Sequence, residues 1–254
     1  MSGRHGPLQA LHAPLDTPVH RTDPTVKLVC LLGFLFAVVA TPPQALPAFG
    51  AYALVVVAAA ARARLPLRVL GRRLAVETPF VVFAVALPFI GTAPHREVLG
   101  LSLSVPGMWA GWSILAKATL GTAATVVLAW STPVAELLAG LERLRLPRAL
   151  TAIAGFMIRY LDIVAGELHR LQIARVSRGD DPRWLWQART VATTAGTVFI
   201  RSFERGERVH RAMLARGFTG SFPDTAPGPA DRRWLPALLW PATAWAIAAA
   251  ALWS

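Results

Sequence analysis

Cysteine is nearly absent: Cys30 is the single one among 254 residues, and it lies in an apolar run. No disulfide can close within one chain and no thiolate cluster can assemble on a metal, so Cys30 reads as a small packing residue. A cleavable leader is not expected either, because about 25 polar and proline-containing residues precede the first apolar run; the amino terminus is expected to stay in the cytosol. No Gly-x-x-x-x-Gly-Lys-Ser/Thr phosphate loop occurs, so the chain has no recognisable cradle for ATP. The histidines His5, His12, His20, His95, His169 and His210 lie outside the apolar runs and form no His-Glu-x-x-His pair. His169 beside Glu167 and His210 beside Glu207 read as solvated or ion-paired, and no metal site is expected. Glu77, Lys117 and scattered serines do not make a catalytic set within the apolar runs. A self-contained secondary transporter would show inverted repeats, yet the proline-interrupted region at 41–47 has no counterpart in the second half.

What the chain has in excess is apolar residues, 54% of the total, with a mean hydropathy of +0.47. That is too apolar for an ordinary soluble surface and identifies an integral membrane protein. The net charge of +12 does not point to nucleic acid, because the basic residues avoid the apolar runs and gather in particular connections. Apolar runs at 28–41, 46–61, 74–91, 107–131 and 234–253 predict about five transmembrane helices. Pro42, Pro43 and Pro47 separate the first two, which read either as a helical hairpin or as one re-entrant unit. Arg4, Arg21 and Lys27 precede the first run, and Arg62, Arg64, Arg68, Arg72 and Arg73 follow the second. Only Arg96 with Glu97 separates the third from the fourth. The positive-inside rule then places the amino terminus, the 62–73 loop and residues 132–233 in the cytosol and the carboxyl terminus outside, with Trp234 and Trp253 as interfacial anchors.

The fold class is therefore all-α: a cytoplasmic segment 1–27, transmembrane helices 1–4 within 28–131, cytoplasmic helices within 132–233 and a last transmembrane helix in 234–254. In the cytoplasmic part, Thr132-Pro133 opens a short amphipathic helix with Leu137, Leu138, Leu141 and Leu144 at helical spacing, broken by Pro147. A second helix is predicted from Arg148 to Arg178, with Ile153, Met157, Leu161, Val164, Leu168 and Leu171 as its apolar stripe. A third runs from about Pro182 to Arg216 and pairs Glu204 with Arg208 and Glu207 with Arg211 at i, i+4. Lys117 falls mid-run in 107–131, where a charge must face the bundle or a partner. Pairing with Glu77, snorkelling, and contact with a partner membrane protein are its candidate roles. Gly111, Ala116, Ala118, Gly121, Ala123 and Ala124 on the same run permit close helix contact.

The second and third cytoplasmic helices end alike, in Ser177-Arg178-Gly179 and Ala215-Arg216-Gly217. Glycine takes the left-handed conformation that closes a helix and leaves the preceding arginine on the last turn, aligned with the negative helix end. Such a guanidinium can reach past the tip and bond carboxylates or carbonyls of a partner in a bidentate manner.

These triplets resemble the signature of the transmembrane T component of energy-coupling factor transporters, in particular the cobalt type called CbiQ. Pro18-Val19-His20-Arg21-Thr22-Asp23-Pro24-Thr25-Val26-Lys27-Leu28, Ser131-Thr132-Pro133, Leu144-Arg145-Leu146-Pro147, Ile158-Arg159-Tyr160 and Glu167-Leu168 are similar to further family blocks. The likeness is most specific in Arg201-Ser202-Phe203-Glu204-Arg205 through Phe218. Ser177, Ile158 and Gly206 depart from the usual residues, and Gly206 costs about 1 kcal/mol of helix stability relative to alanine. The resemblance implies a non-catalytic subunit in the bacterial inner membrane. ATP and Mg would be bound by two cytoplasmic CbiO-like ATPase subunits, and the metal captured by a separate CbiM-like membrane subunit with a small CbiN-like accessory chain. Arg178 and Arg216 are then expected to insert into grooves on the two ATPases, with Arg175, Ser177 and Ala215 allowing close approach and Gly179 and Gly217 as the stops. Lys117 is the candidate intramembrane contact. The amino-terminal block favours cobalt, while nickel, biotin or another vitamin stays open as substrate.

Overall fold

The computed structural model describes residues 17, 19–91, 94–98, 101–179, 188–219 and 242–250. Asp23 and Pro24 start the first helix: the Asp23 carboxylate accepts from the Thr25 amide at 2.7 Å, and Pro24 fills the first helical position. Helix α1 runs Pro24–Ala40 and α2 runs Leu46–Arg62, each of 17 residues. Pro42 and Pro43 have no N–H to give to the carbonyls of Val38 and Val39, which stops α1. The first two apolar runs are thus two separate helices, each about 26 Å long, slightly under a hydrocarbon thickness of about 30 Å.

Helix α3 (Leu67–Leu74), a 3-10 turn (Ala75–Glu77) and α4 (Thr78–Ile90) follow. Together Arg68–Ile90 are long and apolar enough to cross a membrane, and helical structure begins at Leu67, seven residues before the expected boundary at Leu74. Strands β1 (His95–Val98) and β2 (Leu101–Ser104) then form an antiparallel hairpin with His95 opposite Ser104. The helical reading of the sequence did not anticipate this pair. Its signal is the short alternation Leu101-Ser102-Leu103-Ser104, a period of two that a search for 18-residue runs passes over. Helix α5 spans Val105–Ser131, capped by Ser104, whose Oγ accepts from the Gly107 amide at 3.2 Å. Then come α6 (Val134–Arg143), α7 (Arg148–Val176) and α8 (Ala188–Ala215). Residues 242–250 are helical. The rest of the last expected span, with Trp234 and Trp253, lies outside the described residues, as do Asp180, Asp181 and Pro182. Apart from the hairpin, this is the all-α membrane architecture expected.

The described residues up to 144, with 242–250, make one compact unit, and 145–219 make another. The first has its core around Tyr52, which is fully buried. The Tyr52 hydroxyl lies 2.9 Å from Thr41 Oγ1 and donates to the Ala244 carbonyl at 3.3 Å, while its ring meets Phe34 and Phe49 edge-on at 5.7 and 6.3 Å. Helices α1, α2, α5 and residues 242–250 share this core.

Helices α4 and α5 approach most closely through glycine. A Cβ at Gly107 or Gly111 would run into the carbonyl oxygens of Leu87 and Ala84, so the i, i+4 glycines set the contact. Gly111, one of the small residues singled out on this span, is thus used within the chain.

Helix α6, expected among the cytoplasmic helices, packs on α1. Gly140 lies against Leu28 and the Thr25 backbone, and Arg143 pairs with Asp23 at 2.8 Å. The buried Lys27 ammonium donates to Ser131 O (3.1 Å), Thr132 Oγ1 (2.9 Å) and His20 O (3.3 Å), tying the start of α1 to the α5–α6 junction.

The second unit is α7 and α8, of 29 and 28 residues, or about 43 and 42 Å of rigid rod. Of the expected stripe, Ile153, Met157, Leu161 and Leu168 are exposed while Val164 and Leu171 are half-buried, and Phe199, Ile200 and Phe203 of α8 are exposed as well. By length and composition alone α7 also qualifies as a membrane-crossing helix.

Candidate functional site

Both expected helix stops are present. Gly179 and Gly217 have φ of +80° and +83°, a region open to glycine but strained for other residues. At the end of α8 the Phe218 amide donates to Met213 O and the Gly217 amide to Leu214 O, both at 3.0 Å. That pair of bonds is a Schellman closure with Gly217 at its left-handed position. At the end of α7 the Gly179 amide donates to Val176 O at 3.0 Å, the inner bond of the same motif; Asp180, which would make the outer one, lies outside the described residues. Nothing stands within 4 Å of a Cβ at either glycine, so backbone conformation and not crowding demands glycine there.

The closures place the candidate side chains as follows. Arg178 and Arg216 are exposed, Ser177 and Ala215 beside them are exposed too, and Arg175 is half-buried one turn back. Ser177 Oγ donates to the Ile173 carbonyl at 2.9 Å, so its hydroxyl is spent on its own helix and leaves a small outer surface. Each tip therefore carries a cation at the negative end of its helix dipole, which favours positive charge.

One group that sequence reasoning left unassigned joins the two helices. Glu167 of α7 is only 7% exposed, and its two oxygens accept separately from Arg201 and Arg205 of α8, both at 3.1 Å. Glu167 and these arginines are visible in the sequence, and the i, i+4 spacing of Arg201 and Arg205 puts both on one face of α8; only the fold shows that this face meets α7. The expected pairs within α8 also form, Arg211 with Glu207 at 2.9 Å and Arg208 with Glu204 at 3.9 Å.

Lys117 does not meet Glu77. Its ammonium donates to the Val39 carbonyl at 2.8 Å, one of the two carbonyls that the prolines after α1 cannot serve. Glu77 is buried and accepts from Thr119 Oγ1 at 2.9 Å. Among the described residues no three His, Cys, Asp or Glu side chains gather where they could hold a metal.

Apolar helices in one unit and a pair of arginine-tipped helices in the other define a class, an α-helical membrane protein with a charged helical pair. The chain belongs to the CbiQ cobalt transport protein family, whose model matches residues 16–226. It is 30% identical over 201 residues to the cobalt transport protein CbiQ of Rhodobacter capsulatus, covering 76% of this chain and 78% of that one. It is 25% identical over 222 residues to the energy-coupling factor transporter transmembrane protein EcfT of Heliobacterium modesticaldum, covering 82% and 83%. A fused cobalt transport protein CbiMQ of Methanocorpusculum labreanum is 24% identical over 219 residues; the match takes in 81% of this chain but 36% of the relative, so the chain spans about a third of that protein. The protein is thus a T component of an energy-coupling factor transporter and a membrane protein.

Proposed function

We propose that this chain is the coupling lever of an ATP-driven cobalt importer. Two CbiO-like ATPases, which bind ATP and Mg, grip Arg178 and Arg216, one each. Arg175 supports the first tip, and Ser177 and Ala215 let the ATPase surfaces approach closely. Closure of the ATPases on ATP displaces the tips relative to each other, and the long helices carry the displacement to a CbiM-like substrate-binding membrane subunit and its CbiN-like accessory chain. The chain itself holds no metal or nucleotide and sits in the bacterial inner membrane with its amino terminus in the cytosol. The observation that carries the reading is the pair of glycine-closed helix ends, φ +80° and +83°, each presenting an exposed arginine. Fusion of M and Q names in the Methanocorpusculum labreanum relative supports adjacency to a CbiM-like subunit. The name EcfT specifies no substrate, and the second reading is that nickel or a vitamin such as biotin is carried.

Arg178→Glu with Arg216→Glu tests the reading, because charge reversal turns two attractive contacts repulsive. Truncating one partner of a buried charge pair costs about 2–5 kcal/mol, so the ATPases are expected to be lost on gentle detergent extraction while the chain remains inserted. Unchanged ATPase retention and transport would sink the assignment.

A further inference from the structure

We infer that the Glu167–Arg201–Arg205 cluster is the fulcrum of the coupling helices, a positioning device that fixes the point at which the two helices cross. The inference rests on the coupling reading above and adds to it a residue that transmits force without touching a partner. Three observations carry it.

The first is chemical. A carboxylate with 7% exposure has each oxygen engaged by a different guanidinium from the facing helix. Two bonds from two points on α8 keep the carboxylate in register along that helix, which a single contact would not. A charge so enclosed is held to its partners, because separating them would leave it buried and unpaired.

The second is the setting. Large apolar side chains of α7 and α8 flank the cluster yet face outward, among them Met157, Leu161, Leu168, Phe199 and Phe203. Apolar packing between the helices is confined to half-buried residues such as Val164, Leu171, Val198 and Val209, so the buried polar cluster has a large share in setting where they cross.

The third is the arm length. Eleven residues separate Glu167 from Arg178, and eleven separate Arg205 from Arg216. At 1.5 Å per residue each tip lies about 16 Å beyond the cluster along its own helix. Neither segment contains proline, so each arm is continuous helix up to its glycine stop. Arg201 lies four residues further back, so the α8 arm is somewhat the longer; arms of similar length from a shared pivot convert a change in tip separation into a change in crossing angle. Glu167 is accordingly a positioning residue.

The test uses the full chain in its complex, in a Cys30→Ser background with spin labels at Ile173→Cys and Leu214→Cys, both exposed positions near the tips. With Glu167 intact, a narrow distribution of label distances is expected that shifts between nucleotide-free and ATP-bound states. With Glu167→Gln the distribution broadens and its nucleotide-dependent shift is lost. The ATPases still co-purify, ATP is still hydrolysed, and substrate moved per ATP falls about five- to tenfold, the lower range of ordinary coupling between sites. Arg201→Gln with Arg205→Gln removes the same bonds from the other side and should reproduce the effect, whereas Glu167→Asp, which keeps the charge, should restore part of it. An unchanged distance distribution and transport ratio in Glu167→Gln would overturn the fulcrum. So would failure of both Gln variants to insert, which would make the cluster a folding element only. The two readings separate because ATPases that remain bound to Arg178→Glu/Arg216→Glu sink the lever itself, whereas the label distances report on the cluster in either case.

Discussion

Three glycines on α7 and α8 show how one residue type serves opposite ends. Gly179 and Gly217 sit at φ +80° and +83°, where an L side chain is strained by about 1–2 kcal/mol. Gly206 is an exposed position inside α8 with open space around it, so nothing in its surroundings offsets the helix penalty of about 1 kcal/mol. Gly206→Ala is therefore expected to raise stability by up to about 1 kcal/mol, and Gly179→Ala or Gly217→Ala to lower it by a similar amount. Thermal unfolding of the purified protein reads both signs. Stabilisation by alanine at 179 or 217 would mean that the left-handed stops are not needed. The stops were legible in the sequence because a Schellman closure is local: its glycine, its arginine and its carbonyl partners fall within six residues. The Glu167 cluster was not, since its members are 34 and 38 residues apart and nothing in either helix alone says which face meets the other.

Helix junctions are where charge and proline decide the packing. Pro42 and Pro43 deprive the last turn of α1 of two donors, and Lys117 from α5 supplies one of them by reaching the Val39 carbonyl. This accounts for a lysine in an apolar span without any outside partner, and it sets a choice between the structural role and the proposed contact with a substrate-binding subunit. If the bond to Val39 is the reason for Lys117, Lys117→Leu leaves a helix-end carbonyl unserved and lowers stability by about 1–3 kcal/mol, visible as a lower unfolding temperature of the isolated chain. Intact stability with lost transport would instead assign Lys117 to the partner. Lys27 binds the α5–α6 junction to the start of α1 by the same chemistry. In the sequence Lys27 reads only as one of the positive charges that orient the first span. The hydropathy pattern located the apolar helices to within a few residues, but it is blind to which carbonyls a proline leaves open and to which distant ammonium serves them.

At the scale of the whole molecule, the decisive question is the side of the membrane on which the two tips lie. Helix α7 is long and apolar enough to cross a bilayer, and a crossing there would carry Arg178, all of α8 and Arg216 to the outer face, beyond the reach of any cytosolic ATPase. Two features oppose a crossing. Arg159 and Asp162 are exposed near the middle of the helix, and Glu167, His169 and Arg170 follow within two turns, whereas α4 from Thr78 to Ile90 holds no charge at all. Arg or Asp at the centre of a span costs about 2.5–3.5 kcal/mol on insertion scales. A crossing would also place the five arginines of α8 outside, against the positive-inside bias that orients the rest of the chain. An α7 lying on the cytosolic side satisfies both, with its exposed stripe of Ile153, Met157 and Leu161 turned to an apolar surface such as the bilayer boundary or another subunit. Single cysteines at Ile173 or Leu214 in a Cys30→Ser background should then react with a membrane-impermeant maleimide in inside-out vesicles and stay unlabelled in intact cells. Labelling of either position from outside the cell would show that α7 crosses, and a lever driven from the cytosol could not then be built from these two tips.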